Sequence, residues 1–415
     1  MSRCSKRPIQ STCRAPTCAA PTCKPASIVP GLLVFILAVM SWPALVGLSA
    51  CYAQGLTPYR DVASDPQDRQ GQTLPPHSRT QPMSLQHACF RPQDLTARSG
   101  ENQPQKHNRT FDKTEPGREL VAFSPALDRL RGAIRRVNLA PGQKLIALTL
   151  DLCEQNGEIA GYDGRIIDYL RRENVKATLF VGGKWLRSHE MRTRQLMSDP
   201  LFEIANHSAA HRNLRLLSGK RLYEEIAAPQ RAYEAIHESF SQHQCVRNAP
   251  AQWSSIPKRM SLFRFPFGAC NKASLDAVND AGLLAIQWDV SAGDPSPNQS
   301  ATAITREILR ATKPGSIIIA HANGRGFHTA EALPQAIPKL KAKGYKFVTV
   351  SELIAAGTPE IVATCYNSKP GDTDRYDNLA TAFRKDLASR RGNAKGGAST
   401  AKKSKAWNAT VKPGP

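Results

Sequence analysis

The stretch 145-LIALTLD-151 decides the fold of this chain. Its mostly apolar residues end abruptly in a carboxylate, and Lys144 precedes them. An almost continuous apolar run of this length is typical of a strand that is buried on both faces of a parallel sheet. We therefore predict a β-strand that carries Asp151 at its carboxyl end.

Similar apolar runs follow along the chain, and segments with helical spacing separate them. The predicted strands are 145–150, 177–181, 202–205, 262–265, 284–288, 317–320 and 347–350. The predicted helices are 125–139, 163–173, 186–197, 219–238, 272–281, 301–311 and 330–343. Strands that alternate with helices predict βαβ units and a parallel sheet, as a (β/α) barrel or a doubly wound sheet.

Ionisable side chains stand at the carboxyl ends of most of these strands. They are Asp151, His207, His211, Arg264, Asp289, Asp294 and His321. Because the carboxyl ends of parallel strands converge on one face, we expect these groups to share one site. His207 and His211 are four residues apart, so they would chelate one cation if their segment were helical. A metal, a carboxylate base and a histidine acid together indicate hydrolysis of a carbonyl compound.

The same residues lie in five short motifs. The motifs are TLD at 149–151, HSAAH at 207–211, RFPFG at 264–268, WDVSAGD at 288–294 and IAH at 319–321. Their order and spacing resemble those of the NodB-like polysaccharide deacetylases, carbohydrate esterase family 4, over about residues 140–356. The resemblance implies a distorted (β/α) barrel of about seven parallel strands. It also implies metal-dependent removal of N-acetyl groups from an envelope or extracellular glycan, such as peptidoglycan or a chitin-like polymer, with Zn²⁺ as the first choice of cation.

The resemblance also implies catalytic roles, carried over by position. Asp151 would be the general base, and Arg264 would hold its carboxylate in place. His321 would protonate the leaving amine. Asp294 matches the acidic residue that tunes this histidine, and Asp289 is the second choice for that role.

The implied metal ligands are His207 and His211, but the first motif departs from the family pattern. The family has two adjacent aspartates there, the second of which is a metal ligand, and Leu152 stands in its place. Glu154, two residues further on, is the candidate replacement, with water as the alternative. Three further residues of the motifs are candidates for substrate binding: Pro266, Phe267 and Trp288.

Two other functions stay open at this point. Some relatives with this barrel open non-sugar linear or cyclic amides, although export would argue against such substrates. A glycan-binding pseudo-enzyme that has lost its metal is the other alternative, since the second aspartate is missing. The presence of Asp151, Arg264 and His321 weighs against it, because an inactive site need not keep an acid and a base.

The ends of the 415-residue chain carry more than half of its net charge of +22. Residues 1–53 are predicted to be an export signal or a membrane anchor, because an apolar segment at 28–50 follows a basic region. The sequence Leu48-Ser49-Ala50-Cys51 resembles a lipobox, which predicts a lipid on Cys51 and a periplasmic or envelope-attached protein.

The remaining boundaries follow from composition. We predict a flexible linker at 54–120, the deacetylase-like domain at 121–365 and a basic disordered tail at 366–415. The tail favours an anionic envelope polymer as partner, and no nucleic acid is expected because no binding motif is present.

The cysteines near the predicted site leave several pairings open. Cys153 and Cys270 follow two of the site strands, so an exported protein could join them in a disulfide. Independent buried thiols, or a bond from either residue to Cys245, are the alternatives. A Cys153 thiolate as a metal ligand is also physically possible, although export argues against it.

Overall fold

A computed structural model describes residues 84–113 and 124–378. The predicted export segment, the lipobox and most of the predicted linker and tail therefore lie outside the described residues. Within the described ranges, no helix combines the length and the apolar character needed to cross a membrane.

The core of the fold is a curled, mostly parallel sheet. Its strands are β2 Ala133–Leu139, β3 Leu145–Leu152, β5 Ala177–Val181, β6 Phe202–Asn206, β7 Leu262–Phe263, β8 Leu284–Ile286, β9 Val290–Ser291, β10 Ile317–His321, β11 Lys346–Phe347 and β12 Gly357–Val362. Two short strands, β1 Gln105–Lys106 and β4 Glu158–Ile159, form a separate antiparallel pair. The order across the sheet is β12-β2-β8-β7-β6-β5-β3-β10-β9, and β11 pairs with the start of β3.

All neighbours along this order are parallel except β12, which is antiparallel to β2. The sheet curls until Val137 of β2 donates a backbone hydrogen bond to the carbonyl of Gly315, just before β10, at 2.9 Å. The predicted fold class, a distorted barrel of parallel strands and helices, is confirmed. The central strands β3 and β5 are buried almost throughout, as their apolar sequences predict.

Helices cover the outside of the sheet. They are α1 Leu85–Cys89, α2 Pro92–Leu95, α3 Gly164–Arg172, α4 Gly183–Ser188, α5 Glu190–Met197, α6 Gly219–Ser241, α7 Gln244–Arg247, α8 Pro250–Ser254, α9 Lys272–Asp280, α10 Ala301–Ala311, α11 Thr329–Ala342 and α12 Val350–Ala355. Local sequence explains their starts: the Asp163 side chain caps α3, and Asn271 and Ser274 form a capping box at α9. These caps fix where the strand-to-helix loops turn, and those loops form the site.

The predicted helix at 125–139 is wrong. A single 3₁₀ turn at Asp128–Leu130 is followed by strand β2, in which Ile134 and Val137 are fully buried. The spacing of the apolar residues fits a helix, but β2 pairs with both β8 and β12. Pairing and burial within the sheet outweigh the weak local preference.

The predicted linker is wrong for residues 84–113, which fold against the barrel. Leu85 is buried in the main core, and the Gln86 side chain donates to the Asp199 carboxylate at 2.8 Å. A disulfide joins Cys89 to Cys245. Ion pairs and this disulfide hold the segment in place. It can therefore fold against the barrel although its composition is polar and it has no broad apolar face.

The predicted tail is likewise wrong for residues 366–378. Arg135 donates to the carbonyls of Tyr366 and Asn367, and Arg215 pairs with Asp374 at 2.7 Å. A disulfide from Cys270 to Cys365 fixes the start of this segment.

The predicted bond between Cys153 and Cys270 is therefore wrong, as is a bond from either residue to Cys245. Cys270 bonds to Cys365, Cys245 bonds to Cys89, and Cys153 is a free, buried thiol.

Candidate active site

The carboxyl ends of β3 and β10 meet at one side of a cavity of about 510 Å³. Asp151 ends up directly beside His321, since the two residues are register partners in the parallel pair. His211 lines the same cavity. The sheet thus brings together side chains that are far apart in the sequence, as the strand-end pattern predicted.

A buried ion pair holds the Asp151 carboxylate. Arg264 is 0% exposed, and its Nη1 donates to Asp151 Oδ1 at 2.8 Å and to Thr149 Oγ1 at 2.7 Å. The guanidinium lies 3.9 Å from the centre of the Phe180 ring. Burial opposes the charge on Asp151, but Arg264 and the neighbouring His207 keep its pKa below the ordinary value. Asp151 is therefore an anion in a fixed orientation.

His207 and His211 approach each other through a loop, not a helix. Ser208 and His211 have positive φ values of 64° and 52°, and the Ser208 side chain accepts from the His211 amide at 3.1 Å. Asn206 braces the loop by accepting from the Ser208 amide at 3.0 Å. The segment is therefore not helical, but the two rings are still neighbours, with centroids 5.1 Å apart.

The structure fixes the tautomer of His207. Its Nδ1 lies 2.9 Å from the carbonyl oxygen of Arg264, which can only accept, so Nδ1 carries the proton and Nε2 keeps a lone pair. Burial lowers the pKa of His207, and burial together with His207 lowers that of His211 well below its ordinary value. Both rings are neutral near pH 7, the form that binds metals.

These rings fit a cation. Among the described residues, neither Nε2 of His207 nor Nδ1 of His211 has a hydrogen-bond partner, although both atoms are buried and His207 Nε2 lies 3.3 Å from Asp151 Oδ2. Buried nitrogens without partners are costly, and a cation would satisfy both. The sulfur of Cys153 and one nitrogen from each of these histidines lie within 4.8 Å of one another.

Glu154 does not lie with the histidines, so the predicted ligand role is not supported by its position. Its Oε2 accepts from the Ser188 hydroxyl at 2.7 Å and from the Ala160 amide at 3.1 Å. Its Oε1 lies 3.6 Å from the Nζ of the buried Lys184. Glu154 instead shapes the loop after β3.

His321 and Asp294 form a second pair. Asp294 Oδ1 lies 3.1 Å from His321 Nδ1, while Oδ2 accepts from the His321 amide and from the Thr329 hydroxyl, each at 2.7 Å. Burial works against the imidazolium, but the Asp294 carboxylate outweighs it and raises the pKa of His321. His321 is thus prepared to carry a proton into the cavity. Asp289 lies elsewhere and accepts from Ser316 and the Ile317 amide.

Comparison with known proteins agrees with this geometry. Residues 138–286 match the sequence profile of the family described as polysaccharide deacetylase. This stretch, about a third of the chain, resembles the NodB-like polysaccharide deacetylases. A peptidoglycan-N-acetylglucosamine deacetylase of Bacillus cereus is 28% identical over 215 residues, which are 51% of this chain and 89% of that protein. One from Listeria monocytogenes is 30% identical over 221 residues, 53% of this chain but only 41% of that protein.

Solved structures of the family are also similar. A pseudoenzyme of carbohydrate esterase family 4 from Bacillus anthracis is 25% identical in sequence, with a TM-score of 0.43. The match covers 54% of this chain and 69% of that one. The peptidoglycan deacetylase PdaC from Bacillus subtilis is 27% identical, with a TM-score of 0.41, and the match covers 52% of this chain and 93% of that one.

Aromatic side chains form one wall of the deacetylase cavity. Phe267 and Trp288, two predicted substrate-binding residues, both line it. The third, Pro266, is buried in the 3₁₀ turn below Phe267 and is not part of the lining. Gly268 has a φ of 60°, and a Cβ there would lie 2.6 Å from the Trp288 ring, so only glycine lets this ring close the wall.

Three residues of this cavity belong to the segment that the sequence predicted to be a disordered tail. They are Asn367, Arg375 and Tyr376. Tyr376 stacks on Phe267 at a centroid distance of 5.1 Å, and Asn367 accepts from the Trp288 indole at 2.9 Å. The paired Cys270 and Cys365 were the only sequence signal that this segment returns to the barrel.

The contact between Asp294 and His321 leads us to predict how activity depends on pH. An acid catalyst must be protonated, so activity falls as pH rises through the pKa of His321. Because Asp294 raises that pKa, Asp294→Asn should move the alkaline limb of the kcat profile to lower pH. The matched control is Asp289→Asn, which removes a carboxylate outside the cavity and should leave the limb in place. An unchanged alkaline limb in Asp294→Asn would remove His321 from the role of titrating acid.

Proposed function

We propose that this chain hydrolyses N-acetyl groups on an N-acetylated envelope glycan. The observation that carries the proposal is the position of Asp151 and His321. Both stand at register-paired strand ends on one cavity, the first held as an anion by Arg264 and the second held as a proton carrier by Asp294. Hydrolysis of an amide needs a base that is deprotonated and an acid that is protonated at the same pH. The lowered pKa of Asp151 and the raised pKa of His321 favour these two forms.

The roles follow from the contacts. Asp151 takes a proton from the attacking water, and Arg264 keeps its carboxylate in position as a positioning residue. His321 donates a proton to the amine nitrogen, because an amine leaves poorly unless it is protonated. Asp294 orients the His321 ring through Nδ1, which leaves Nε2 for the substrate.

A divalent cation completes the proposal, with His207 and His211 as protein ligands. When bound, such a cation would supply Lewis acidity toward the amide carbonyl and would lower the pKa of a bound water, which suits a weakly electrophilic amide. The neutral imidazoles and their unpaired nitrogens support this assignment. Zn²⁺ is the first candidate because imidazole suits it.

The glycan is proposed from the relatives, both of which are named for peptidoglycan N-acetylglucosamine. The aromatic wall supports a sugar substrate, since flat rings provide apolar contact area for a sugar face. The metal-free, glycan-binding pseudo-enzyme remains the second candidate, and the substitution at Leu152 is the observation that favours it.

Acetate release separates these functions. The full chain, loaded with Zn²⁺, is offered peptidoglycan, chitin oligomers, acetylated xylan and cyclic amides. Release from the first two supports the proposal. Turnover of cyclic amides alone would favour the non-sugar hydrolase, and binding of glycan without any release would favour the pseudo-enzyme.

The wall makes a prediction about substrate binding. Tyr376→Ala should raise KM for a chitin oligomer roughly two- to tenfold while kcat changes little, since an aromatic contact contributes about 0.5–1.5 kcal/mol. Tyr376→Phe keeps the ring on Phe267 and is the control, with KM expected near the wild-type value. A KM for Tyr376→Ala equal to that of wild type would place the substrate elsewhere in the cavity.

We also propose that the protein is exported and attached to the envelope. The disulfides Cys89–Cys245 and Cys270–Cys365 support export, because such bonds persist in oxidising compartments. Attachment would use a lipid on Cys51 or the 28–50 segment, and the basic end of the chain would bind an anionic polymer. Labelled fatty acid should enter the wild-type chain but not Cys51→Ser. Equal labelling of both would reject Cys51 as the lipid site.

A further inference from the structure

We propose that Cys153 is the third protein ligand of the cation, so that this deacetylase has a Cys-His-His metal site. The inference rests on the proposed metal dependence and adds the ligand that sets the character of the site. It starts from the direction of the side chains on β3. Successive residues of a strand point to opposite faces, and Cys153 directly follows the end of β3 at Leu152, so alternation continued by one residue places it on the face of Asp151. Leu152 accordingly packs in the main hydrophobic core, while Asp151 and Cys153 line the cavity.

The distances suit a single ion. The Cys153 sulfur and one nitrogen from each histidine lie within 4.8 Å of one another. In a tetrahedral zinc site, with Zn–S of about 2.3 Å and Zn–N of about 2.0–2.1 Å, such atoms are about 3.3–3.6 Å apart. Small side-chain rotations would therefore close this group around an ion. The sulfur and His207 are buried, so few water molecules compete for the position.

The surroundings of the sulfur also suit a ligand. Asn323 is 0% exposed, and its Nδ2 donates to the Cys153 sulfur at 3.1 Å and to the Cys153 carbonyl at 2.8 Å. Burial and the nearby Asp151 carboxylate raise the pKa of the Cys153 thiol to about 12, so a bound cation would have to displace its proton. The Asn323 donor would then stabilise the thiolate, as hydrogen bonds around metal-bound thiolates do. Asn323 is thereby a positioning residue for Cys153.

The thiol is available in an oxidising compartment. The other cysteines within the described ranges, Cys89, Cys245, Cys270 and Cys365, are all in disulfides. Cys153 therefore has no described cysteine to pair with. A site with one sulfur and two imidazole ligands would favour Zn²⁺ or Co²⁺ over Mg²⁺, Ca²⁺ and Mn²⁺, which prefer oxygen.

Cobalt substitution tests the sulfur ligand directly. The full chain and Cys153→Ser are each loaded with Co²⁺, and their near-ultraviolet and visible spectra are recorded. We expect a thiolate-to-cobalt charge-transfer band in the wild type that is absent in Cys153→Ser. Zn²⁺ affinity, measured by competition with a chelating dye, should fall at least about 10–100-fold in Cys153→Ser, since even indirect ligand support is worth that much.

Two outcomes would overturn the inference. One is bound Co²⁺ without a charge-transfer band in the wild type, and the other is equal Zn²⁺ affinity in the wild type and Cys153→Ser. Far-ultraviolet circular dichroism of both proteins controls for folding. If the band is absent while Zn²⁺-loaded wild type releases acetate, only this inference fails. If the wild type binds no ion and releases no acetate, the proposed function fails as well.

Discussion

Asp151→Asn is expected to lower kcat for acetate release by about 10²–10⁴-fold, the usual contribution of one proton-transfer group. Asparagine has nearly the same shape and can still accept the hydrogen bond from Arg264, but it cannot take a proton from water. The carboxylate touches both Arg264 Nη1 at 2.8 Å and His207 Nε2 at 3.3 Å, so no other described carboxylate occupies its place. The measurement is kcat at saturating substrate with the ion present.

Stability must be measured in the same variant, because the substitution removes the partner of a fully buried guanidinium. Breaking a buried ion pair from one side costs about 3–5 kcal/mol of the free energy of unfolding. Asp163→Asn is the matched control: Asp163 is also buried and ion-paired, with Arg165 at 2.7 Å, but it caps α3 outside the cavity. Asp163→Asn should lose stability and keep its kcat. A folded Asp151→Asn protein with near-normal kcat would contradict the assignment of the base.

His207→Ala is expected to reduce bound metal from about one ion per chain to nearly none, and turnover should fall with it. The His207 ring is fixed at both nitrogens, because Nδ1 lies 2.9 Å from the Arg264 carbonyl and Nε2 lies 3.3 Å from Asp151 Oδ2. One of these nitrogens belongs to the group formed with Cys153 and His211. Removing it leaves two ligands, which hold a divalent ion weakly. Elemental analysis after dialysis against metal-free buffer gives the content directly.

The control for this variant is His237→Ala. His237 is a buried histidine on α6 whose ring centroid lies 4.2 Å from that of Trp253, and it lies outside the proposed metal group. Its replacement creates a similar cavity without removing a ligand, so the metal content should stay near one per chain. Equal metal content in wild type and His207→Ala would show that the ion, if present, binds elsewhere.

Much of the barrel could be predicted from the sequence, because a strand that is buried on both faces consists of an almost continuous run of apolar residues. The strand at 145–152 and its register partner at 317–321 were recognised in this way. Strand β2 was not, since the spacing of Ile134 and Val137 also fits a helix and only the neighbours β8 and β12 decide between the two. Segments 84–113 and 366–378 were missed because disulfides and ion pairs, which depend on distant residues, hold them.

In the candidate site, too, some residues could be placed from the sequence and others could not. Residues that follow a strand directly, such as Asp151 and His321, can be placed from the sequence because the sheet brings strand ends together. The ligand after β3 could not be placed from spacing alone. Glu154 carries a carboxylate like the aspartate that the family has as a ligand, but it donates no atom to the cavity because Ser188 and Ala160 bind its carboxylate elsewhere. The alternation of side chains along and just after β3 directs Cys153 to the cavity instead. Alternation was the available signal, and it favours the thiol.

The central claim is that this chain removes N-acetyl groups from a glycan, and one measurement tests it most directly. Zn²⁺-loaded full-length protein is incubated with a chitin oligomer, and released acetate and new free amines are counted together, with Asp151→Asn alongside. We predict equal amounts of acetate and amine from the wild type and almost none from Asp151→Asn. Folded, metal-loaded wild type that releases neither acetate nor amine from a chitin oligomer or from peptidoglycan would contradict the account.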